Sequence, residues 1–271
     1  MNTKPLKVPL MSEMIAAGDS PDILFWVGCS GSFDDRAKKI TKAIVRILNH
    51  CEIKFAVLGM EESCTGDPAK RAGNEFLFQM QAMQNITTLN GYNIKKIVTG
   101  CPHCFNTIKN EYPDLGGKFE VIHHTQLVQE LIDQGKLKVQ GGNYQGKKIV
   151  FHDPCYLGRG NGIYEAPREV IRKLDAELVE MKRSRAKGLC CGAGGAQMFK
   201  ESEPSYKPSE YGEKEVNNER TREALEHQPD VIAVGCPFCN TMMTDGVKHF
   251  NAESKTKVLD VAELIANAND L

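Results

Sequence analysis

The stretch TGCPHCFNT (99–107) returns later in the chain as VGCPFCNT (234–241), so that Cys101 maps to Cys236 at an offset of 135. Upstream, WVGC ends at Cys29 and FHDPC ends at Cys155, an offset of 126. Cys29 to Cys64 and Cys155 to Cys190 are both 35 positions, which pairs CTG (64–66) with CCG (190–192) and sets Thr65 where the second copy has Cys191. Downstream, HHTQLVQELI (123–132) matches LDVAELIA (259–266) at the same offset of 135. A chain that repeats itself over nearly its whole length has to fold as two similar halves. The growth of the offset assigns about nine extra residues to the second copy, and the Pro-, Ser- and charge-rich segment 200–214 accommodates them. The units read as a polar N-terminal arm (1–21) that lies on a partner, a first repeat (22–140) and a second repeat (141–271), joined near GKLKVQGGNYQGKK (135–148).

Apolar runs alternate with amphipathic segments. DILFWVG, FAVLGM, KKIVTG and FEVIHH read as buried strands of the first half, and KKIVFHD, AELVEM, DVIAVG and TKVLDV as their counterparts. Segments 36–49, 69–89, 162–174 and 213–227 carry a helical period. Strands that alternate with helices imply parallel sheets covered by helices. The expected fold class is therefore α/β, with two pseudo-symmetric lobes, each a mostly parallel sheet flanked by helices, and with cysteines at the strand ends, where open α/β sheets hold ligands.

Charge excludes some partners. The chain has 34 Lys and Arg against 35 Asp and Glu, a net formal charge of −1, which argues against nucleic acid. No apolar run reaches the roughly 18–20 residues of a membrane span, and the start lacks the apolar core of a secretory signal. The expected location is cytoplasmic, with room for a peripheral contact on the inner face of the membrane. Ten cysteines in such a compartment point to metal rather than to disulfides.

The second half offers Cys155, Cys190, Cys191, Cys236 and Cys239, and the first offers Cys29, Cys64, Cys101 and Cys104. Both CPxC pairs have Gly before them and Pro inside them, and both end a strand and start a helix, whose N-terminus stabilises thiolates. Thiolate-only sets select zinc or iron–sulfur clusters. Mononuclear zinc takes four ligands, and adjacent thiolates chelate one small ion only with strain. The five-cysteine set thus favours a multinuclear iron–sulfur site, with GAGG (192–195) letting backbone amides approach it. The four-cysteine set suits a [4Fe–4S] cluster or zinc equally. Cys51 has no counterpart and reads as a buried free thiol.

HDPCYLGR (152–159), CCGAGG (190–195) and GCPFC (235–239) resemble the cysteine-rich CCG domain. That family includes the B-type subunit of heterodisulfide reductase and a subunit of some succinate:quinone reductases. It also includes iron–sulfur subunits of anaerobic glycerol-3-phosphate dehydrogenase, glycolate oxidase and lactate-utilisation systems. CTGDPAKRAGNE (64–75) and CPHCFNTIKNEYP (101–113) look like stretches of membrane-associated iron–sulfur oxidoreductases. The resemblance implies a noncubane [4Fe–4S] cluster on Cys155, Cys190, Cys191, Cys236 and Cys239. Thr65 departs from the five-cysteine pattern, so the first repeat is left with a [4Fe–4S] cubane or zinc. No ferredoxin-type CxxCxxCxxxCP segment is present, and the resemblance implies a separate ferredoxin-like iron–sulfur partner, linked to a membrane quinone-reactive subunit or a flavoprotein. The implied function is electron transfer to a quinone or disulfide acceptor, with Cys190, Cys191, His152 and Asp153 as the catalytic set. Two other functions compete: a zinc-containing non-redox assembly subunit, and a thiol–disulfide oxidoreductase using the CPxC pairs directly.

Other side chains read more plainly. His103 reads as packing, His123 and His124 as hydrogen-bonded strand-end histidines, and Met242 and Met243 as core. Arg159 reads equally as a counter-charge to the cluster or a solvated loop cation, and the Lys and Glu of 213–226 as a solvated helix face.

Overall fold

A computed structural model describes residues 6–271 apart from 202–207, 209–211 and 214. Most of the expected insertion at 200–214 therefore lies outside the described residues. Two four-stranded, all-parallel sheets form the lobes. In the first, β1 (Ile23–Trp26), β2 (Phe55–Ala56), β3 (Lys96–Thr99) and β4 (Glu120–His123) take the order β2-β1-β3-β4. In the second, β5 (Lys148–Phe151), β6 (Glu177–Val179), β7 (Val231–Val234) and β8 (Lys257–Asp260) repeat it as β6-β5-β7-β8. The central strands are apolar on both faces, ILFW and VIAV being buried throughout, because helices cover each sheet from both sides.

In chain order the helices are α1 (Met11–Ala16), α2 (Gly28–Phe33), α3 (Ala37–His50), α4 (Asp67–Arg71), α5 (Glu75–Gly91), α6 (Pro102–Asn106) and α7 (His124–Asp133). The second half adds α8 (Glu165–Arg172), α9 (Val216–Leu225), α10 (Pro237–His249) and α11 (Val261–Ala268). One core joins the lobes: Ile23 and Phe25 of β1 and Ile149 and Phe151 of β5 share it with α3, α7, α8 and α11. On α3, Ile40, Ala43, Ile44, Ile47 and Leu48 recur at the helical period and face this core. Across it α11 packs on α3 and α7 on α8, so the last helix of each repeat seats on the other repeat. The outer faces carry separate cores, under α5 in the first lobe and under α9 and α10 in the second.

Two expectations need correction. Part of the N-terminal arm belongs to the fold. Val57 N–H donates to Pro9 O at 3.0 Å, Met11 N–H donates to Val57 O at 2.9 Å, and Leu10 bridges Val57 in parallel. Met11 then starts α1 with its side chain buried in the first lobe. The cause is an unpaired sheet edge beside β2, which the chain fills with its own backbone. The second correction concerns register. β3 and β7 align at 135, but β4 and β8 align at 137, because α10 runs on as one helix where α6 gives way to a wide turn over Thr107–Glu111. His123 and Asp260 are thus the structural equivalents. Each caps the helix that follows: Thr125 N–H donates to His123 Nδ1 at 3.4 Å, and Ala262 N–H donates to Asp260 Oδ1 at 2.9 Å. Gln126 and Glu263 return the bond to the cap residue's own N–H. His124 Nε2 lies 2.9 Å from Asp260 Oδ1, so the first residue of α7 meets the α11 cap across the lobe interface.

α9 and α10 cross closely at Gly246, where a β-carbon would sit 2.0 Å from Thr221 Oγ1 and 2.7 Å from Thr221 Cβ. A β-branched side chain cannot swing clear. Gly246→Ala is expected to cost about 1–3 kcal/mol by overpacking, read as a lower urea midpoint. Adding Thr221→Gly should recover part of the loss.

Candidate metal centre

All ten cysteines are free thiols, and nine of them gather at the carboxyl ends of the central strands. Cys29 sits on α2, Cys64 on the loop before α4, and Cys101 and Cys104 on the β3–α6 turn. Together with Thr65, Asp67 and His103 they line one recess, closed on the far side by Phe238 of the second repeat. Cys155 follows β5, Cys190 and Cys191 end the loop after β6, and Cys236 and Cys239 stand on the β7–α10 turn. The CPxC thiols and Cys191 are buried, whereas Cys29, Cys64, Cys155 and Cys190 are half-buried at the rim.

Local chemistry builds both cages alike. Gly66 (φ +89°) and Gly192 (φ +90°) place the residue after each CT or CC in the left-handed region, where glycine is unstrained. This turns the backbone amides back onto sulfur: Gly192 N–H donates to Cys190 Sγ at 3.3 Å, and Gly66 N–H bonds Cys64 likewise. Cys101 and Cys236 are helix N-caps with Pro at the next position. Thr65 Oγ1 points at Cys104 Sγ, 3.9 Å away, so a hydroxyl occupies the place of the fifth thiol.

The thiols share protons. Cys64 is pulled down to about 7, first by its hydrogen bond with Cys29, which is held up by the same bond. In the second cage Cys190 lies far below the ordinary thiol range because Cys155 and Cys191 both bond to it, and Cys191 is pushed up to about 12 chiefly by that bond. Cys191 also reaches Cys239, which reaches Cys236. The chain of contacts does not stop at the lobe boundary. Cys101 is within side-chain hydrogen-bonding reach of Cys236 as well as of Cys104, and these bonds hold it well below its usual value. The two cages, separate in sequence, adjoin.

His103 occupies the junction. Its Nδ1 is 2.8 Å from Asp67 Oδ2, and its ring meets Tyr156 at 4.7 Å and Phe238 at 4.9 Å between centroids. Burial works to lower its pKa, but Asp67 and then the Cys101 and Cys190 sulfurs outweigh it, and the net shift is upward. Tyr156 also approaches Asp67 and Arg71. At the first cage, Glu62 accepts from Val27 N–H at 3.0 Å and Gly28 N–H at 2.6 Å. Burial raises its carboxyl to about 7 against those two bonds.

His152 offers a ring nitrogen within 4.8 Å of both Cys191 and Cys239 sulfurs. Its Nδ1 accepts from Arg220 Nε at 3.0 Å, and burial, then Arg220, push its pKa down to about 3. Asp153 turns elsewhere. Its carboxylate takes Arg168 Nη1 at 2.7 Å and Nη2 at 2.9 Å, and the Arg185 N–H at 2.7 Å. It thereby anchors the start of the loop that ends in Cys190, which Arg159 grips again at the Gly188 carbonyl. Cys51 is buried in the inter-lobe core at the end of α3, with no cysteine contact, and burial raises it to about 11. Of the Lys and Glu expected on a solvated face at 213–226, Glu223 is instead buried, together with Asn217, Asn218 and Arg220 of the same helix, because this face of α9 supports His152. Sequence reasoning missed Glu62, Asp67, Tyr156, Arg168, Arg220 and Glu223. Glu62, Asp67 and Tyr156 had a local signal, each lying within three residues of a cage cysteine.

Sulfur-only donors, buried among apolar neighbours and met by backbone N–H groups, fit a sulfur-ligated iron group. Five converging thiols exceed what one tetrahedral ion takes.

The comparisons agree with this chemistry. The sequence matches the cysteine-rich domain CCG twice, over residues 23–109 and 149–244. An "EtfAB:quinone oxidoreductase" from Syntrophomonas wolfei is 44% identical over 252 residues, covering 93% of this chain and 35% of that protein. A "Probable iron-sulfur-binding oxidoreductase FadF" from Bacillus subtilis is 45% identical over 263 residues, covering 97% of this chain and 36% of that protein. One component of the dihydromethanophenazine:CoB–CoM heterodisulfide reductase of Methanosarcina barkeri is 35% identical, covering 92% of this chain and 59% of that protein. The chain thus spans little more than a third of the first two relatives and under two thirds of the third.

Two variants separate anchors from ligands. Cys51→Ala is expected to keep the full metal content and to cost about 1 kcal/mol, checked by metal analysis and denaturation. Arg168→Met leaves the Asp153 charge buried and unpaired. It should cost about 3–5 kcal/mol, and a second change, Asp153→Asn, should recover part of it in the same denaturation experiment.

Proposed function

The chain belongs to the cysteine-rich CCG domain family, and on that premise we propose that it is the iron–sulfur, electron-transferring part of an oxidoreductase. The observation that carries this reading is the meeting of the two cages across the lobe interface, where Phe238 of the second CPxC turn closes the first recess and stands 4.9 Å from the His103 ring of the first between centroids. A structural metal site needs no neighbour at this range. An electron relay does.

In this reading Cys155, Cys190, Cys191, Cys236 and Cys239 hold a noncubane [4Fe–4S] cluster, and Cys29, Cys64, Cys101 and Cys104 hold a [4Fe–4S] cluster or zinc. When bound, such clusters supply one-electron transfer and, at the five-thiol site, an iron face for a disulfide or a quinone. The residues do the rest. The buried CPxC thiols form the floor, and the half-buried Cys155 and Cys190 leave the second cage open on one side. His103, held by Asp67, places a polarised N–H system between the cages. Cys190 and Cys191 are the proposed seat of chemistry, with His152 against their cage. Asp153 is a positioning residue, since Arg168 and Arg185 occupy its oxygens.

Direct thiol–disulfide exchange by the CPxC pairs is disfavoured, because Cys101, Cys104, Cys236 and Cys239 are each no more than 5% exposed, and an attacking thiolate needs access. A zinc scaffold leaves the fifth thiol unexplained.

The relatives' names support a quinone or a disulfide as acceptor. Electrons would enter from a ferredoxin-like iron–sulfur partner or a flavoprotein. No helix among the described residues is long and apolar enough to cross a membrane. The proposed place of work is the cytoplasm, with peripheral contact to the inner face of a membrane.

Anaerobically purified protein is expected to be brown, with iron and acid-labile sulfide. Stoichiometric zinc without iron would contradict the reading. Cys191→Ser should alter the EPR spectrum of the second site and abolish turnover, while the iron of the first site is retained.

A further inference from the structure

Two ring N–H groups stand at equivalent places in the two repeats. Trp26 precedes Cys29 by three residues, and His152 precedes Cys155 by three. Both follow the same strand parity. Leu24 and Trp26 face the core that contains Cys101 and Cys104. Val150, two residues before His152, faces the core that contains Cys191, Cys236 and Cys239. Trp26 is fully buried, and its Nε1 has no hydrogen-bond partner among the described residues. A buried N–H without an acceptor is destabilising, and Trp26 Nε1 is an unpartnered donor in the core that holds Cys101 and Cys104.

His152 resolves the chemistry further. The guanidinium of Arg220 carries a hydrogen on Nε under all ordinary conditions. Its 3.0 Å contact with His152 Nδ1 therefore requires a lone pair on Nδ1. Arg220 is itself held fast, its Nη1 donating to Glu223 Oε2 at 2.8 Å and to the Arg183 carbonyl at 2.7 Å. The neutral ring then carries its proton on Nε2. A ring nitrogen lies within 4.8 Å of the Cys191 and Cys239 sulfurs, and with Nδ1 taken up by Arg220 we assign the cage-facing position to Nε2. It faces them as a donor, with no lone pair to offer a metal.

We propose that each repeat donates one buried ring N–H to its own sulfur cage, Trp26 Nε1–H in the first and His152 Nε2–H in the second, and that Arg220 holds His152 as a donor and prevents it from becoming a sixth ligand. For the effect on redox behaviour this rests on the iron–sulfur reading above. N–H bonds to cluster sulfurs stabilise the more negative, reduced form and raise its potential. The two rings are thus positioning and tuning residues, one per site.

The first measurement needs no metal. In the metal-free, reduced, 271-residue chain labelled with 15N-histidine, two-bond 1H–15N correlations should show His152 protonated on Nε2 only, with His152→Gln assigning the signal. A proton on Nδ1 would overturn the proposal. The second uses the cluster-loaded chain in an EPR-monitored redox titration. His152→Leu should lower the potential of the second site and leave the first in place, and His152→Gln, which keeps an N–H donor, should restore much of the shift. Trp26→Phe should lower the potential of the first site alone. Unchanged potentials in both variants, with clusters present, would also overturn it. A wild-type chain that binds no iron would instead defeat the iron–sulfur reading, and the tautomer result would still decide whether His152 is held as a donor.

Discussion

The rest of the structure depends on the approach of the two CPxC turns to one another. Cys101 and Cys236 come from strands that never share a sheet, yet Phe238 of the second turn meets His103 of the first at 4.9 Å between ring centroids. That approach is possible because the lobes exchange helices, α7 seating on α8 and α11 on α3. The backbone of both turns is bare where it must be. Gly100 and Gly235 precede the cysteines, and His123 packs behind the second of them. A β-carbon on Gly235 would stand 3.5 Å from His123 Cε1, and one on Gly100 would stand 2.8 Å from Ile44 Cδ1. Packing in the shared core thus sets the distance between the cages, and mutations remote from sulfur can act on it.

Nine thiols in one buried region are an electrostatic problem without a metal. Their mutual bonds hold Cys190 and Cys101 well below the ordinary thiol range. The protein answers with partial positive charge: amides at Gly66 and Gly192, the helix N-termini at Cys101 and Cys236, and His103 near Cys101 and Cys190. The same groups favour an anionic sulfur-ligated cluster. Full positive charges stay one step back. Arg220 reaches the cage only through His152, and Arg168 only through Asp153.

Much of this was legible in the sequence because cysteine spacing and strand periodicity are local signals. The matched spacings picked out the nine cysteines that the structure gathers at the strand ends, and the eight apolar runs hold the eight strands found among the described residues. What was not legible arose from contacts between the halves. No local pattern marks Cys101 as a neighbour of Cys236, or Phe238 as a wall of the first cage. Arg220 and Glu223 lie on a helix whose charges look solvated in one dimension, and only its packing over His152 buries them. The offset between β4 and β8 was misjudged by two residues because His and Asp can fill the same capping role, which residue identity conceals. Asp153 illustrates the converse: its place beside a cysteine is legible, but not that Arg168 and the Arg185 N–H take both its oxygens.

The central claim is that two sulfur-held clusters adjoin. The most direct test is EPR of the fully reduced, iron-reconstituted chain, recorded over a range of temperature and microwave power. Adjoining paramagnetic sites broaden each other's lines and speed each other's relaxation. The account predicts such spin–spin interaction, lost when either site is oxidised or emptied. Two sharp spectra that add without interaction would contradict it.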